Sequence, residues 1–556
     1  MMATTRLLVA LLLAASACAR TPAPVTAPGT ESRTGTSAAP LPAIPPVDGP
    51  LAVRVVYPVA NQVVTSRDSN FIFGSVGSGR ATLTINGVPV RVAPNGAFLG
   101  FVANPPGTPD ATTQVPAATY ELVATRDGQT ARLAVPVRYR TPAAPAVATP
   151  ATTAKSETLP TSRADSNVAL LTARLDSLRT QVTRNEPIGL VQLGQPSPAD
   201  SDRTIVGRPV PGGTYKWFFT PGTIVPLVSS ANGYHRVRLD RDLDVYVDSA
   251  DATMLPAGTA APVRVASNMR VRPGPQGVDV VIPMAARAPY FVEETERGIV
   301  LTLYGVRANT DIINYAAGDS MVRNIEFTQV NDERARITIG LHAAPYGYLV
   351  IWEGNALVLK LRGRPAIDRA RPLAGLTIAV DAGHPPGGAT GPTGLWEPQA
   401  TLPISEQLRR MLEQRGARVV MTRTNDAAVA LGERPVIARR ANVHAFVSVH
   451  LNAYGDGVNP FVASGTGTYF FRAHSEPLAR HVQRGMVSRM GLQDLGVNYD
   501  NLAVVRGTWY PAILCEGGFL MVPEQEHAFR TPEFQARYAR GIADGLEEYF
   551  RALPSR

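Results

Sequence analysis

One stretch, residues 376–397 (LTIAVDAGHPPGGATGPTGLWE), constrains this chain more than any other. It opens with alternating and β-branched apolar residues, which predict a buried strand ending at Asp381. Closely spaced glycines and prolines then exclude a regular element, so His384 is expected on a loop just past the carboxyl end of that strand. Open α/β sheets carry their chemistry at this edge, and Glu397 closes the same loop.

Two further residues follow strand-like runs in the same way. His450 ends the run at 445–449, and Glu516 ends the run at 512–515. Two histidines and one carboxylate are a sufficient ligand set for a catalytic zinc with one position left open for water. A further carboxylate nearby supplies a general base. The two histidines and two glutamates together predict metal-assisted hydrolysis.

The order of motifs over residues 374–550 resembles the zinc-dependent N-acetylmuramoyl-L-alanine amidases of bacterial cell walls. The motifs are VDAGHPPGGATGPTGLWE, MTRTND, LGERPVIARRAN, FVSVHLNA, GTGTYFF and PAILCEGGFL. The resemblance implies zinc held by His384, Glu397 and His450, with Glu516 as the catalytic carboxylate. It also implies the substrate, which is the peptidoglycan amide bond between N-acetylmuramic acid and L-alanine of the stem peptide.

The chain departs from the family pattern beside two of these residues. His384 is followed by two prolines where the family usually has glycines, and His450 is followed by Leu451 where a small residue is common. Both departures change the loops without removing a ligand, so they bear on substrate fit. Residues 454–465 are too short for the helical insertion that blocks the site in some relatives, so no such autoinhibition is expected.

Two functions of other classes remain open. A zinc peptidase acting on the stem peptide would carry its glutamate three residues after the first histidine, where this chain has Gly387; product analysis discriminates the two. A catalytically inactive wall-binding protein is the second alternative. The complete ligand set argues against it, and a zymogram on peptidoglycan decides.

Other polar residues of the domain have structural and functional interpretations. Asp381 either supports His384 from behind or caps the loop, and the sequence favours neither. Arg434 and Asn452 match family positions without a role that the sequence defines. The remaining histidines are interpreted as structural or surface residues, with His527 in a loop-like run and His235 on a surface strand; they are His235, His342, His444, His474, His481 and His527.

Composition excludes some classes of protein. With 556 residues the chain should hold several domains, and 45% hydrophobic against 18% charged residues is too apolar for a disordered protein. The net charge of +9 comes almost entirely from arginine, and no Lys/Arg run exceeds two residues. No nucleic-acid partner is therefore expected.

Residues 1–17 predict an export signal, with one basic residue, an apolar core too short to span a membrane, and small residues before Cys18. These small residues resemble a bacterial lipobox, although Ala15 stands where leucine is preferred. We therefore predict lipidation of Cys18, with ordinary cleavage before it as the alternative. Either outcome predicts the periplasm or cell envelope, and lipidation would hold the protein at the outer membrane.

The chain is predicted to be multidomain, with all-β modules before a C-terminal α/β domain whose mostly parallel sheet is flanked by helices. Short alternating strands separated by turns indicate the β modules. Tyr215, Trp217, Phe218 and Tyr234 would form either a glycan-stacking face or a core. The predicted segments are a disordered tether (18–50), an Ig-like sandwich (51–141), a linker with a short helix (142–200), an SH3-like domain (201–258), a β-rich wall-targeting module (261–366) and the catalytic domain (373–553).

Within the catalytic domain the pattern predicts alternating strands and helices. Apolar residues at helical spacing over 403–415 predict a helix that stops at Gly416. A strand at 418–422 follows, and later helices are predicted at 431–441, from Ser475, and at 532–550.

Overall fold

The computed structural model describes residues 40–66, 68–109, 116–139, 186–195 and 204–554. In these ranges three β-rich modules precede an α/β domain, which confirms the predicted multidomain organisation. The export signal, Cys18 and the predicted linker helix lie outside the described residues. None of the described helices combines the length and apolar character that a membrane span requires.

The first module consists of two sheets, with strand orders β1-β3-β6 and β2-β9-β8-β4-β5, around a common apolar core. Strand β7 pairs with β8. The strands are β1 (Arg54–Tyr57), β2 (Gln62–Val64), β3 (Ser69–Ser75), β4 (Thr82–Ile85), β5 (Val88–Val90), β6 (Ala97–Ala103), β7 (Thr108–Pro109), β8 (Pro116–Arg126) and β9 (Gln129–Tyr139).

Residues 40–50, which the sequence assigned to the disordered tether, are packed against the rest of the chain. The N–H of Val47 donates to the carbonyl of Pro94 at 2.9 Å. The carbonyl of Pro40 accepts from Arg537 at 2.9 Å. The tether prediction is therefore wrong for these residues, because proline-rich chain without apolar clusters can still dock through its backbone groups.

The second module is one sheet of order β12-β11-β15-β14-β13-β10-β16. Strand β10 comes from the segment predicted as linker, so the linker prediction is wrong there; one short strand carries too little periodicity to be recognised. The strands are β10 (Gly189–Leu193), β11 (Ile205–Arg208), β12 (Trp217–Phe219), β13 (Thr223–Ala231), β14 (Tyr234–Asp240), β15 (Leu243–Asp248) and β16 (Ala252–Met254).

The side chains of this second module correct one sequence prediction, that for His235, and bear on the open question of the aromatic residues. Trp217 is part of the buried core, whereas Tyr215 and Phe218 remain partly exposed, so the aromatic set divides between core and surface. His235 is buried on β14, which makes its surface prediction wrong. Strand β14 lies inside the sheet, between β13 and β15. The sequence pattern did not indicate which of its side chains are buried.

The third module encloses a single core between two sheets, of orders β23-β18-β19-β27-β26 and β20-β21-β25-β24, and β17 pairs with β22. The strands are β17 (Val265–Ala266), β18 (Met269–Gly274), β19 (Gly277–Pro283), β20 (Tyr290–Thr295), β21 (Gly298–Tyr304), β22 (Arg307–Ala308), β23 (Ile313–Asn314), β24 (Val322–Asn331), β25 (Arg334–Leu341), β26 (Gly347–Glu353) and β27 (Ala356–Arg362).

The C-terminal domain is built on a six-stranded sheet of order β29-β28-β30-β33-β31-β32. Strand β31 is antiparallel to β33, and the other four pairings are parallel. The strands are β28 (Thr377–Ala382), β29 (Arg418–Met421), β30 (Ala445–Asn452), β31 (Gly465–Phe470), β32 (Gln493–Tyr499) and β33 (Ala512–Phe519). The helices are α1 (Glu397–Gln414), α2 (Glu433–Arg440), α3 (Glu476–Met490), α4 (Pro523–Arg530) and α5 (Pro532–Ala552).

Side-chain alternation along the central strands explains why both faces of this sheet are covered. Ile378 and Val447 pack into a core with helices α1, α3 and α5, whereas Ala379 and Phe446 pack on the opposite face, which α2 covers. Successive side chains of a strand point to opposite faces. Apolar residues on both faces therefore require helices on both sides.

Three details of this domain differ from the sequence prediction. Helix α1 begins at Glu397, six residues before the predicted start, because Pro403 lies inside the helix instead of at its beginning. Helix α4 was not predicted, and His527 lies on it, so its loop assignment is wrong. Strand β32 at the sheet edge was also missed.

Candidate metal centre

The sheet brings the four predicted site residues to one region. His384 lies two residues past the end of β28, and Glu397 is the first residue of α1. His450 lies on β30 directly beside Glu516 on β33 in the parallel register. Both strands continue beyond these residues, so the prediction that they end the strands is wrong, although a register shift follows His450.

Three of these residues form a compact cluster of potential ligand atoms. His384 Nε2 lies 3.2 Å from Glu397 Oε2, and His450 Nδ1 lies 3.1 Å from Glu397 Oε1. The two imidazole rings are 5.0 Å apart at an interplanar angle of 80°. One ligand atom from each residue lies within 4.8 Å of the others, which groups the three residues as a candidate site for one metal ion.

Hydrogen bonding fixes the orientation of the His384 ring. Its backbone is in the left-handed region, with φ 56°, and Nδ1 contacts the carbonyl oxygen of Pro386 at 2.8 Å. A carbonyl only accepts, so Nδ1 is the protonated nitrogen and Nε2 offers its lone pair to the cluster. Gly383, which precedes His384, lies close to the His450 ring. A Cβ added at this position would be 2.6 Å from His450 Cε1.

Glu397 is held in the centre of the cluster from both sides. The N–H of Ala389 donates to Oε2, and the N–H of Leu451 donates to Oε1, each at 3.0 Å. Burial opposes ionisation of this carboxylate, but the adjacent imidazoles of His384 and His450 hold its pKa below the ordinary value. Its position at the start of α1 also favours negative charge.

Asp381 is linked to the His384 loop through an ion pair with Arg434. This buried carboxylate accepts from Arg434 Nη1 at 2.7 Å and from the hydroxyls of Ser448 and Thr422 at 2.5 Å. None of its described hydrogen bonds reaches His384. Asp381 therefore supports the His384 loop indirectly, through Arg434, and not by a direct hydrogen bond to His384.

Two buried arginines hold the backbone from which His384 projects. Arg434 donates to the carbonyls of Ala382 at 2.9 Å and Pro385 at 2.8 Å. Arg423 donates to the same Ala382 carbonyl at 2.8 Å and to that of Gly383 at 3.1 Å. Three carbonyls of this turn, those of Ala382, Gly383 and Pro385, are thus fixed by side chains distant in sequence. Sequence reasoning missed Arg423, whose signal was its place within MTRTND.

A fourth acidic residue, Glu526, organises the second half of the loop. Glu526 is fully buried on α4 and accepts from the N–H groups of Thr393 and Leu395, each at 3.0 Å. These contacts fix the chain just before Glu397. Sequence reasoning missed Glu526 because helix α4 was itself not predicted.

Glu516 differs from the other carboxylates of the site. Among the described residues its Oε2 is buried without a hydrogen-bond partner. Burial, followed by the negative charge of Glu397, raises the pKa of Glu516 well above its ordinary value. Tyr538 fixes the adjoining backbone by donating to the Cys515 carbonyl at 2.7 Å. A carboxyl with an orphaned oxygen beside a His/Glu/His cluster is suited to exchange a proton with a bound molecule.

The other histidines of the domain have different partners. His474 Nδ1 lies 3.0 Å from Glu294 of the third module, so it joins two parts of the chain, as its structural interpretation expected. His444 Nδ1 accepts from the N–H of Thr377 at 2.9 Å. Neither residue is part of the His384 cluster.

This domain belongs to the class of α/β hydrolytic domains with a candidate mononuclear metal centre at one end of the sheet. Residues 378–548 match the family model described as N-acetylmuramoyl-L-alanine amidase. The chain therefore belongs to the N-acetylmuramoyl-L-alanine amidase family, which confirms the resemblance found in the motifs, and its enzyme class is that of the cell-wall amidases.

Individual relatives match the C-terminal part of the chain. The uncharacterized protein YqiI of Bacillus subtilis (strain 168) is 33% identical over 208 residues, covering 36% of this chain and 98% of the relative. The probable cell wall amidase LytH of Staphylococcus epidermidis is 31% identical over 231 residues, covering 40% and 74%. The solved N-acetylmuramoyl-L-alanine amidase AmiC2 of Nostoc punctiforme has 32% identity, covers 32% of this chain and 98% of that chain, and gives a TM-score of 0.30.

Proposed function

We propose that this amidase cleaves the peptidoglycan bond between N-acetylmuramic acid and L-alanine, with zinc bound by His384, Glu397 and His450 and with Glu516 as general base. The observation that carries the proposal is the orphaned Glu516 oxygen beside the three-residue ligand cluster. The cell envelope is the site of action that this substrate requires.

The donor set fits zinc. Imidazole nitrogens and a carboxylate oxygen are its preferred ligands in catalytic sites, which use three protein ligands and leave a position open. The Pro386 carbonyl and the N–H groups on Glu397 are the outer contacts that orient such ligands. Zinc, when bound, supplies a Lewis acid that polarises the amide carbonyl and lowers the pKa of water from 15.7 to about 7.

Glu516 performs the proton transfers. Its Oε2 accepts a proton from the attacking water, because no described group of the chain occupies that oxygen. The raised pKa of the carboxyl lets it keep the proton until the leaving amine nitrogen takes it. Proton uptake and return thus use one atom, and the peptide leaves as a neutral amine.

The modules before the catalytic domain would serve localisation. We assign the two-sheet first module to the Ig-like class, the second module to the SH3-like class and the third to a wall-targeting role. The two-sheet packing of the first module and the one sheet with a single apolar core of the second support these assignments. Export with acylation of Cys18 would complete the placement at the envelope, and labelled fatty acid that disappears in Cys18→Ala tests it.

A zymogram on purified peptidoglycan, with and without chelator, tests the proposed reaction. We expect a cleared band that chelation removes and zinc restores, about one zinc per chain by elemental analysis, and free L-alanine amino termini on the released peptides. Stem peptides cut at internal bonds would instead identify the peptidase alternative. Wall binding without clearing by the zinc-loaded protein would identify the inactive alternative.

A further inference from the structure

A cleft of about 700 Å³ lies where the second module, the third module and the α/β domain meet. This volume is within the range of about 300–1,000 Å³ that is typical of ligand sites. Residues that line it include Arg208 and Phe218 of the second module, Val292 and Leu349 of the third, and Arg472 and Arg506 of the α/β domain.

Three guanidinium groups converge on the aromatic residues of this cleft. Arg208 and Arg506 lie over the ring of Tyr215, with Cζ 4.0 and 4.3 Å from its centroid. Arg472 lies 5.4 Å from the ring centroid of Phe218. The rings hold the planar groups by cation–π contact. Arg208 Nη1 also donates to the Gly213 carbonyl at 2.8 Å and Arg472 Nε to the Arg506 carbonyl at 3.2 Å, and both acceptors are uncharged.

The positive charges of these three arginines are not balanced by ion pairs. Within the described part of the chain, no carboxylate oxygen lies within 4 Å of their guanidinium nitrogens. Arg506 instead donates to the side-chain and backbone oxygens of Asn501, at 2.7 and 2.9 Å. Burial, and then the charges of Arg472 and Arg208, lower the pKa of Arg506 to about 10. Like charges held together in a cleft attract an anion.

Asp248, Asp251 and Glu433 also line the cleft, and none of them forms an ion pair with the three arginines among the described residues. Asp248 accepts the N–H of Ala250 at 3.0 Å. Asp251 contributes a favourable charge to Arg208 without forming an ion pair, and burial raises its pKa. Glu294 lies near Arg472, but its carboxylate is engaged by the N–H and ring nitrogen of His474. An anionic ligand would therefore meet arginine donors that the chain itself leaves available.

Backbone groups in the same cleft favour a peptide over a simple ion. Strands β12, β20 and β26 are each the edge strand of their sheet, and Phe218, Val292 and Leu349 lie on them. Edge strands present N–H and C=O groups that can pair with an extended peptide. On β26 the N–H of Tyr348 already donates to the Thr508 carbonyl at 2.7 Å, so β12 and β20 are the strands that carry this argument. Arginine forks bind carboxylates in a bidentate manner.

We propose that this three-arginine cleft is a second binding site, for a carboxylate-bearing peptide. Because peptidoglycan is the proposed substrate, this inference rests on the proposed function and assigns the ligand as an acidic stem peptide of the same polymer. Carboxylates contact Arg208, Arg472 and Arg506, and the peptide backbone lies along an edge strand.

The cleft is separate from the candidate metal centre. Gly467 on β31 lies opposite Glu516, and β31 runs antiparallel to β33. Arg472 follows five residues later, about 16 Å along the strand direction. The two sites therefore lie toward opposite ends of the sheet. One stem peptide held in the cleft would keep the polymer near the enzyme while another is cut.

Calorimetric titration of the full chain, with Glu516→Gln to prevent turnover, tests this site. The probes are a synthetic L-alanyl-γ-D-glutamyl stem peptide with free carboxylates and the same peptide with its carboxylates amidated. We expect Arg472→Gln with Arg506→Gln to weaken binding of the acidic peptide by about 10- to 100-fold. The amidated peptide should show no such difference. Arg480→Gln, on the exposed surface of α3, is the matched control and should bind as the parent does.

Each other outcome has a defined meaning. Equal binding of both peptides by parent and variant would overturn the proposal. Equal competition by inorganic phosphate would show a general anion site and would overturn the peptide assignment, as would tight binding of an acidic protein segment alone. If the glutamine variant unfolds, Arg472→Lys with Arg506→Lys keeps the charge and should still lose affinity, because lysine lacks the bidentate fork.

A further measurement separates this proposal from the proposed function. With Glu516 intact, the double glutamine variant should keep the parent kcat on a soluble N-acetylmuramyl peptide. It should lose activity only on intact peptidoglycan. Absence of hydrolysis by the parent on the soluble substrate would contradict the proposed function, whereas the titration result would stand independently.

Discussion

Two arginines of the α/β domain, Arg434 at the metal centre and Arg506 in the cleft, show opposite solutions to the burial of a charge. Arg434 pairs with the buried carboxylate of Asp381 and donates to backbone carbonyls of the His384 loop. Arg506 has amide and carbonyl oxygens of Asn501 and the ring of Tyr215, with two further guanidiniums nearby.

The difference indicates what each region is built to do. A buried charge whose partner and hydrogen bonds all come from the chain fixes one geometry, which a catalytic site requires. A cluster of like charges without ion pairs costs stability unless a ligand compensates it. We therefore expect replacements at the metal centre to change catalysis and stability, and replacements in the cleft to change binding.

The largest effect is expected from Glu516→Gln. General acid–base groups contribute about 10²–10⁴-fold to rate, so kcat should fall by at least that much while zinc content and melting temperature stay at parent values. Glu406→Gln, on the exposed side of α1, is the control. If the stable, zinc-loaded variant still cleaves at a near-normal rate, Glu516 is not the general base.

The comparison between the two arginines is tested directly by methionine replacements. Arg434→Met leaves Asp381 buried without its ion pair, and the free energy of unfolding should fall by about 3–5 kcal/mol. Arg506→Met removes a charge from a like-charged cluster and should change it by no more than about 1–2 kcal/mol. Urea denaturation of both variants measures this. Equal losses would show that Arg506 contributes as much to folding stability as Arg434 does.

The sequence identified the residues of the candidate metal centre because all four lie in a few motifs. Each adjoins a strand or loop with clear apolar or glycine and proline patterning, so spacing and residue type were sufficient for His384 and His450. The supporting residues were harder. Arg423 and Glu526 act on backbone groups about 40 and 130 positions away, and no local pattern reports such a contact.

The cleft could not be predicted from local sequence at all. Arg208 lies more than 260 residues before Arg472 in the numbering. The sequence analysis assigned no motif to any of the three arginines. The site exists only because three modules pack together. The same limitation explains the error for residues 40–50, where composition predicts disorder but the packed surface of other segments provides hydrogen-bond partners.

The contact between the first module and the α/β domain provides another test, with an expected effect of intermediate size. Asp456, on the loop after β30, accepts hydrogen bonds from the hydroxyl of Tyr57 and from the N–H of Thr65 at 2.7 Å. These contacts are partly exposed. Asp456→Ala should therefore lower the free energy of unfolding by about 1–2 kcal/mol, with parent kcat on a soluble substrate. Limited proteolysis should cut the first module faster in the variant, and an unchanged cleavage rate would show that these contacts do not hold it.

The smallest effect concerns His444, which lies beside the third module close to Arg362. Burial, and then the charges of Arg362 and Arg418, lower its pKa to about 4, and its Nδ1 accepts the N–H of Thr377. Between the ordinary value of about 6.5 and this lowered value, the unfolded chain binds a proton that the folded chain does not. Stability from this residue is therefore complete above pH 6.5 and declines as the pH falls toward 4. His444→Gln should flatten the decline in urea midpoint between pH 6.5 and 4, and a variant that keeps the parent slope would show that other groups cause it.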